Sequence, residues 1–362
     1  MILCRFFRTI TKIIYENGPI LFFPAAYILF VVVLQWFLGR DNLLEVYWGI
    51  DIIDSLVPGF LCIGFLFLLL EKIPEMKNIG LLDIYLDIKD SYLTFERIIG
   101  FFLVYITFAP FFSTFSSYKL AIPSFQSFEW DLTLMEIDRF LHFGNLPWEL
   151  IHDFLSVPVF TKIIDTFYSF WFFLVFFVAT SIAFSRNPRL RLHFFISFFS
   201  TWIVLGTAMA TVLFSAGPCY YGRIVGGYDP FAPLMNYLEL VHRETYPLFA
   251  IISQKALWDA YKSGIHMSFG GGISAMPSLH VAMAVLCALV VWKINRFIGG
   301  VLWGYAIIIL IGSVHLGWHY AVDGYISIIV TIIIWTGVGR IMKTFGPSVL
   351  FEDLRATGSE IN

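Results

Sequence analysis

Long apolar runs alternate with short polar breaks along most of this chain, and the breaks carry nearly all of its charge. A helix needs about 20 mostly apolar residues to cross the hydrocarbon core of a bilayer. By that measure the runs at 19–38, 52–70, 98–117, 160–184, 193–215, 276–293, 297–316 and 321–339 predict eight membrane-spanning helices. The second is the weakest, because Asp51 and Asp54 stand near its start. Two connections are long. Residues 118–158 show an amphipathic pattern with Trp130 and Trp148, which suits a helix lying in the membrane interface. Residues 217–275 gather Gly, Pro, aromatic and charged residues, and 75–97 reads as a surface amphipathic helix. The predicted fold is all-α and polytopic: about eight transmembrane helices, a six-helix core and an interfacial helix. Residues 1–97 form an accessory helix pair with the amphipathic segment, 98–340 the six-helix domain, and 341–362 a tail.

Composition points the same way. The chain is 59% hydrophobic and 14% charged, with mean hydropathy +0.79, whereas soluble domains are about half apolar and about a quarter charged. A net charge of −3 argues against nucleic acid as a partner. Cys4, Cys62, Cys219 and Cys287 are far apart and form no metal-binding spacing, so no disulfide framework is implied. Arg5, Arg8 and Lys12 precede the first run, which lacks a small-residue cleavage site and reads as an uncleaved helix. With both termini in the cytoplasm, the cytoplasmic segments hold fifteen basic residues and the outer segments eight, as the positive-inside rule requires.

Ionisable groups at membrane depth are costly and so mark candidate chemistry. In "GGGISAMPSLHVAMAVL" (270–286), His280 lies one turn into the sixth span. Pro277 suits the first turn of that helix, and Ser274 or Ser278 can cap it. A helix N-terminus offers free N–H groups to an anion such as phosphate. In "GSVHLGWHYAVDGY" (312–325), His319 and Asp323 are four residues apart, so on a helix they share a face. Asp323 can then fix the imidazole tautomer and leave Nε2 as nucleophile or base. The predicted topology brings His280 and His319 to the same outer level. Two imidazoles, one braced by a carboxylate, suit phosphoryl transfer without a metal or cofactor. The run "GGG" reads as a hinge in the loop, since it lacks the Lys and spacing of a P-loop.

"PSLH" (277–280) followed by His-x-x-x-Asp (319–323) resembles the type 2 phosphatidic acid phosphatase superfamily. Three further stretches, "DLTLMEIDRFLHFGNLPWE" (131–149), "FYSFWFF" (167–173) and "FSAGPCYYG" (214–222), are similar to the inositol phosphorylceramide synthase (aureobasidin-resistance) branch. The resemblance runs from roughly 98 to 340. It implies that His319 is the nucleophile, Asp323 its partner, His280 the acid/base, and that Ser278 helps to hold the phosphate. The chain departs from the superfamily in lacking a Lys-x6-Arg-Pro motif and in placing Gly312-Ser313 where a Ser-Arg pair is usual. Arg223 is the first candidate for the missing phosphate-binding cation, followed by Lys255, Lys262 and His315.

The expected function is transfer of a phosphoryl-linked headgroup, such as phosphoinositol, from a phospholipid donor to a lipid acceptor at the outer leaflet. A lipid phosphate or polyprenyl pyrophosphate phosphatase would use the same residues with water as acceptor. A transporter or scramblase would line a pathway with them, but no pair of broken-helix repeats is visible.

Overall fold

A computed structural model describes residues 2–37, 94–185, 187–263 and 271–345. The expected span 52–70, most of the amphipathic segment 75–97 and the end of the tail lie outside the described residues. All regular structure within them is helical. The longer helices are α1 (Ile2–Phe37), α2 (Phe95–Ala121), α3 (Asp131–Leu141), α4 (Pro147–Leu155), α5 (Pro158–Ala183), α6 (Pro188–Ile203), α7 (Ala232–Glu244), α8 (Phe249–Ser263), α9 (Leu279–Ile294), α10 (Arg296–His315) and α11 (Ala321–Phe345). A π-helical turn at Val204–Met209 and a short turn at Ala210–Val212 extend α6.

Six helical stretches are long and apolar enough to cross a membrane: Asn17–Phe37, Arg97–Ser124, Pro158–Ala183, Pro188–Val212, Arg296–His315 and Ala321–Thr344. The protein is an integral, multi-pass membrane protein. Helix α9 is also apolar but has only 16 residues, or about 24 Å at about 1.5 Å per residue. It begins at Leu279, so Pro277 precedes the helix instead of starting it. Ser278 is the N-cap, and its Oγ accepts from the Val281 N–H at 3.5 Å. Where one interfacial helix was expected, two short amphipathic helices, α3 and α4, are joined by a turn in which Phe143 and Gly144 have φ +57 and +92.

Inside a bilayer, lipid tails are as apolar as Leu, so helices associate through close packing and polar contacts instead of through hydrophobic transfer. The many phenylalanines supply that packing. Phe108 of α2 stacks on Phe198 of α6 at 5.5 Å and meets Phe112, Phe176, Phe195 and Phe199. Polar pairs add to it: Tyr27 of α1 meets Thr207 of the π turn at 3.0 Å, and the hydroxyls of Tyr105 and Thr180 join α2 to α5. Helix α9 packs between α10 and α11 and is buried along most of its length.

The end of α2, the start of α5, the end of α6, the start of α9, the end of α10 and the start of α11 meet at one end of the bundle. Three buried aspartates organise this end, each holding two consecutive backbone amides. Asp131 accepts from Ala216 and Gly217, both at 2.8 Å. Asp138 accepts from Ala321 at 2.7 Å and Val322 at 2.9 Å. Asp165 accepts from Phe249 and Ala250, both at 2.9 Å. The amides at the starts of α8 and α11 would otherwise be orphaned. Charge-assisted bonds of this kind are stronger than neutral ones. Burial pushes the Asp138 carboxyl up to about 6, with the two amides opposing the shift.

Candidate active site

The turn between α10 and α11 carries His319. Its backbone N–H and that of Trp318 both donate to the Ser313 carbonyl at 3.0 Å, and Gly317 supplies the positive φ of +71 that the turn needs. His319 therefore stands just before α11, not on it. Asp323, in the first turn of α11, still reaches it: Nδ1 of His319 lies 3.2 Å from Oδ2 of Asp323, which also accepts from the Tyr320 N–H at 3.2 Å. Asp323 is fully buried and His319 is 7% exposed. With Nδ1 held, Nε2 is the ring nitrogen left for chemistry. Burial, reinforced by the charge of Lys119, pushes the imidazole of His319 down to about 3, so it is neutral and has a lone pair to offer.

His280 sits in the first turn of α9, with its ring centroid 6.1 Å from that of His319. Two aromatic rings of α5 hold it: Tyr168 stacks on it at 4.6 Å and 18°, and Trp171 lies at 4.3 Å and 38°. This clamp fixes the orientation of the imidazole.

Three chain segments are knitted around the pair. The Ala275 N–H donates to Ser215 O at 2.9 Å and the Met276 N–H to Ser215 Oγ at 3.1 Å. The Cys219 N–H donates to Gly317 O at 2.9 Å. Gly217, at φ +97, packs so closely that a β-carbon there would stand 2.7 Å from the Trp318 carbonyl oxygen. The "AGPCY" stretch thus acts as a brace for the His319 turn.

Both histidines line a cavity of about 560 Å³. Its head contains Lys119, Ser253, Ser274, His280 and His319, and its other walls are largely apolar, with Phe112, Phe115, Phe172, Trp202 and Leu279. Lys119 occupies the last turn of α2, and its ammonium makes no hydrogen bond or ion pair among the described residues. Gly272, at φ +87, lies against it, and a β-carbon there would stand 3.1 Å from Lys119 Cγ. The third glycine of "GGG" therefore lets the loop backbone pack on the lysine stem.

The structure separates the other phosphate-binding candidates from this head. Ser278 is fully buried, and its hydroxyl caps α9. His315 is fully buried, with Nε2 2.9 Å from Thr161 Oγ1. Arg223 lies over the Trp258 ring at 4.8 Å, Lys262 stands 5.7 Å from the same ring, and Lys255 pairs with Glu239 at 2.9 Å. Arg223 and Lys255 line a second cavity of about 490 Å³. Tyr220, stacked on Trp258, borders both cavities.

Sequence reasoning missed Lys119 by counting it among loop charges. The available signal was a lone lysine at the end of an apolar helix, where an ionisable group needs a reason. It also missed Tyr168 and Trp171 as partners of His280.

One cavity thus combines a neutral, carboxylate-braced imidazole, a second imidazole within a ring's reach, and an unpaired ammonium. Such a set can hold a phosphate, attack phosphorus and exchange a proton with a leaving oxygen. Comparison with curated proteins and with solved structures returned no match. Comparison with protein families matched residues 132–337 to the PAP2 superfamily. This span contains both histidines, Asp323 and two of the three amide-holding aspartates, Asp138 and Asp165, and the chain belongs to the PAP2 superfamily.

Proposed function

We propose that this protein is a lipid phosphotransferase of the inositol phosphorylceramide synthase type. It moves a phosphoryl-linked headgroup, such as phosphoinositol, from a phospholipid donor to a lipid acceptor at the outer leaflet. The observation that carries this reading is the single cavity that joins the His319–Asp323 pair, His280 and Lys119 to apolar walls between membrane-spanning helices. A soluble phosphate ester has no use for such walls, whereas a lipid does.

In the proposed reaction Lys119 pairs with the phosphate oxygens. Nε2 of His319 attacks phosphorus, the bond from phosphorus to the leaving oxygen breaks, and His280 gives that oxygen a proton. The phosphohistidine keeps the headgroup while the first lipid leaves. The acceptor hydroxyl then enters, loses its proton to His280 and displaces His319. Asp323 stabilises the charge that His319 develops. The size and apolar lining of the cavity favour an acceptor larger than water over simple hydrolysis.

The test uses purified protein in nanodiscs with a headgroup-labelled phospholipid, with and without candidate lipid acceptors, and product analysis by mass spectrometry. Label appearing in a new lipid only when an acceptor is present supports transfer. Label released only as a water-soluble phosphate in every mixture overturns it in favour of a phosphatase. Movement of intact lipid without bond cleavage would indicate a transporter.

A further inference from the structure

Part of the cavity wall is bare backbone. Gly206 lines the cavity from the π turn that follows α6, and a β-carbon there would stand 2.7 Å from Phe115 Cε2 and 2.8 Å from Leu279 Cδ1. Phe115 and Leu279 line the cavity too. A glycine inside a helix is destabilising, and this one has no positive φ that would require it. What it supplies is close approach: the ring and the methyl lie directly against its backbone. The turn itself is fixed from two sides. Tyr27 of α1 meets Thr207 at 3.0 Å, Tyr118 of α2 donates to Thr211 Oγ1 at 2.9 Å, and Thr211 Oγ1 donates to the Thr207 carbonyl at 2.7 Å. Such π turns are rare and recur at functional sites.

Gly206 stands partway down the cavity. On α2, Phe115 and Phe112 precede Lys119 by about 6 Å and about 10 Å along the axis, at about 1.5 Å per residue. Trp202, one turn before Gly206, meets both phenylalanines edge-on at 4.9 Å. A hydrocarbon chain whose phosphate sits at Lys119 therefore passes Gly206, Phe115 and Leu279 before it reaches Phe112 and Trp202. A side chain at 206 would push Phe115 and Leu279 off the backbone. The core around them is closely packed, so the space open to them is the cavity itself. We infer that Gly206 determines chain-length specificity: it keeps clear the passage through which a long hydrocarbon chain runs from the head to the deeper walls. This deepens the reading of the same site given above and rests on that site taking a lipid by its phosphate.

The experiment measures binding, so it does not depend on turnover. Phosphorus NMR titration gives the affinity of the purified full-length protein for ethyl phosphate and for hexadecyl phosphate in one detergent. Each probe is compared between variant and wild type, which cancels its partition into the detergent. Gly206→Ala is expected to hold ethyl phosphate within about twofold of wild type and to weaken hexadecyl phosphate about tenfold, the scale of one overpacked methyl. Leu279→Phe narrows the same passage from α9 and leaves the π turn untouched. It is expected to show the same selective loss, and it decides the matter if thermal unfolding shows that Gly206→Ala has not folded. Unchanged hexadecyl phosphate affinity in the folded variants overturns the inference, as does an equal fall for both probes. Binding of neither probe to wild type overturns it together with the reading of the site. If the selective loss holds and no phosphotransfer is found, the proposed reaction fails and this assignment stands.

Discussion

The hydroxyl of Tyr320 donates to Oδ1 of Asp131 at 2.8 Å, linking residues 189 positions apart. Tyr320 directly follows His319, and Asp131 also holds the amides of Ala216 and Gly217, whose loop packs against Trp318. One buried carboxylate therefore fixes the turn of the candidate nucleophile from two sides. Asp131→Ala is expected to leave these groups unpaired in the interior and to cost roughly 3 kcal/mol or more of stability. Tyr320→Phe removes one bond and should cost about 1 kcal/mol. Thermal unfolding of the two variants in detergent checks the order, and a Tyr320→Phe loss as large as that of Asp131→Ala would contradict it.

His319→Ala is expected to lower turnover by several orders of magnitude while the helical circular dichroism signal stays unchanged, because nucleophile and proton donor act as a unit. Near-normal turnover in this variant would exclude the phosphohistidine route. Trapping of label on wild type but not on the variant after acid-free quenching would support it.

Lys119→Met removes the ammonium while keeping most of the stem that packs on Gly272. We expect a fall in kcat/KM of about 100-fold, in line with the loss of one charge-assisted contact to a phosphate. Lys119→Arg should recover part of it. Arg223→Ala, on the far side of Tyr220, should change the rate less than threefold. A larger effect at Arg223 than at Lys119 would move the phosphate to the second cavity.

Gly217→Ala tests the brace. The added methyl meets the Trp318 carbonyl at 2.7 Å, and the backbone has φ +97. The variant is expected to lose at least about 2 kcal/mol of stability and to lower kcat by displacing the His319 turn. Wild-type kinetics in Gly217→Ala would show that the turn holds without this contact.

The depressed value of His319, about 3 against an ordinary 6.5, carries a signed prediction. Below about pH 6.5 the unfolded chain protonates this imidazole while the folded site refuses the proton. Stability is therefore complete above 6.5 and is lost as pH falls toward 3. At pH 5 this one group accounts for on the order of 2 kcal/mol. His319→Gln should lose less thermal stability than wild type between pH 7 and pH 5, and parallel losses would refute the assignment.

The membrane-spanning helices were readable because each is long and apolar enough to announce itself. The His280, His319 and Asp323 cluster was readable because alternating spans must return to one face. The spacing argument for His319 and Asp323 reached the right pair by the wrong geometry, since only Asp323 is helical. The aspartates were harder to interpret. Asp131 and Asp138 look like surface charges of the amphipathic segment 118–158, Asp165 stands near the start of the expected span 160–184, and the partners of all three are backbone amides, which carry no sequence signal. Lys119 was hidden for a related reason: nothing local says that a helix end 161 positions before His280 will face it.

The walls near Trp202 come from spanning helices, while the brace around His319 comes from connections pinned by carboxylates. The apolar walls and the candidate catalytic pair thus rest on separately anchored parts. Reshaping Phe112, Phe115 or Trp202 would change the walls and leave the residues around His319 intact, so under the proposed reaction the tail accepted could be altered without touching the reacting end.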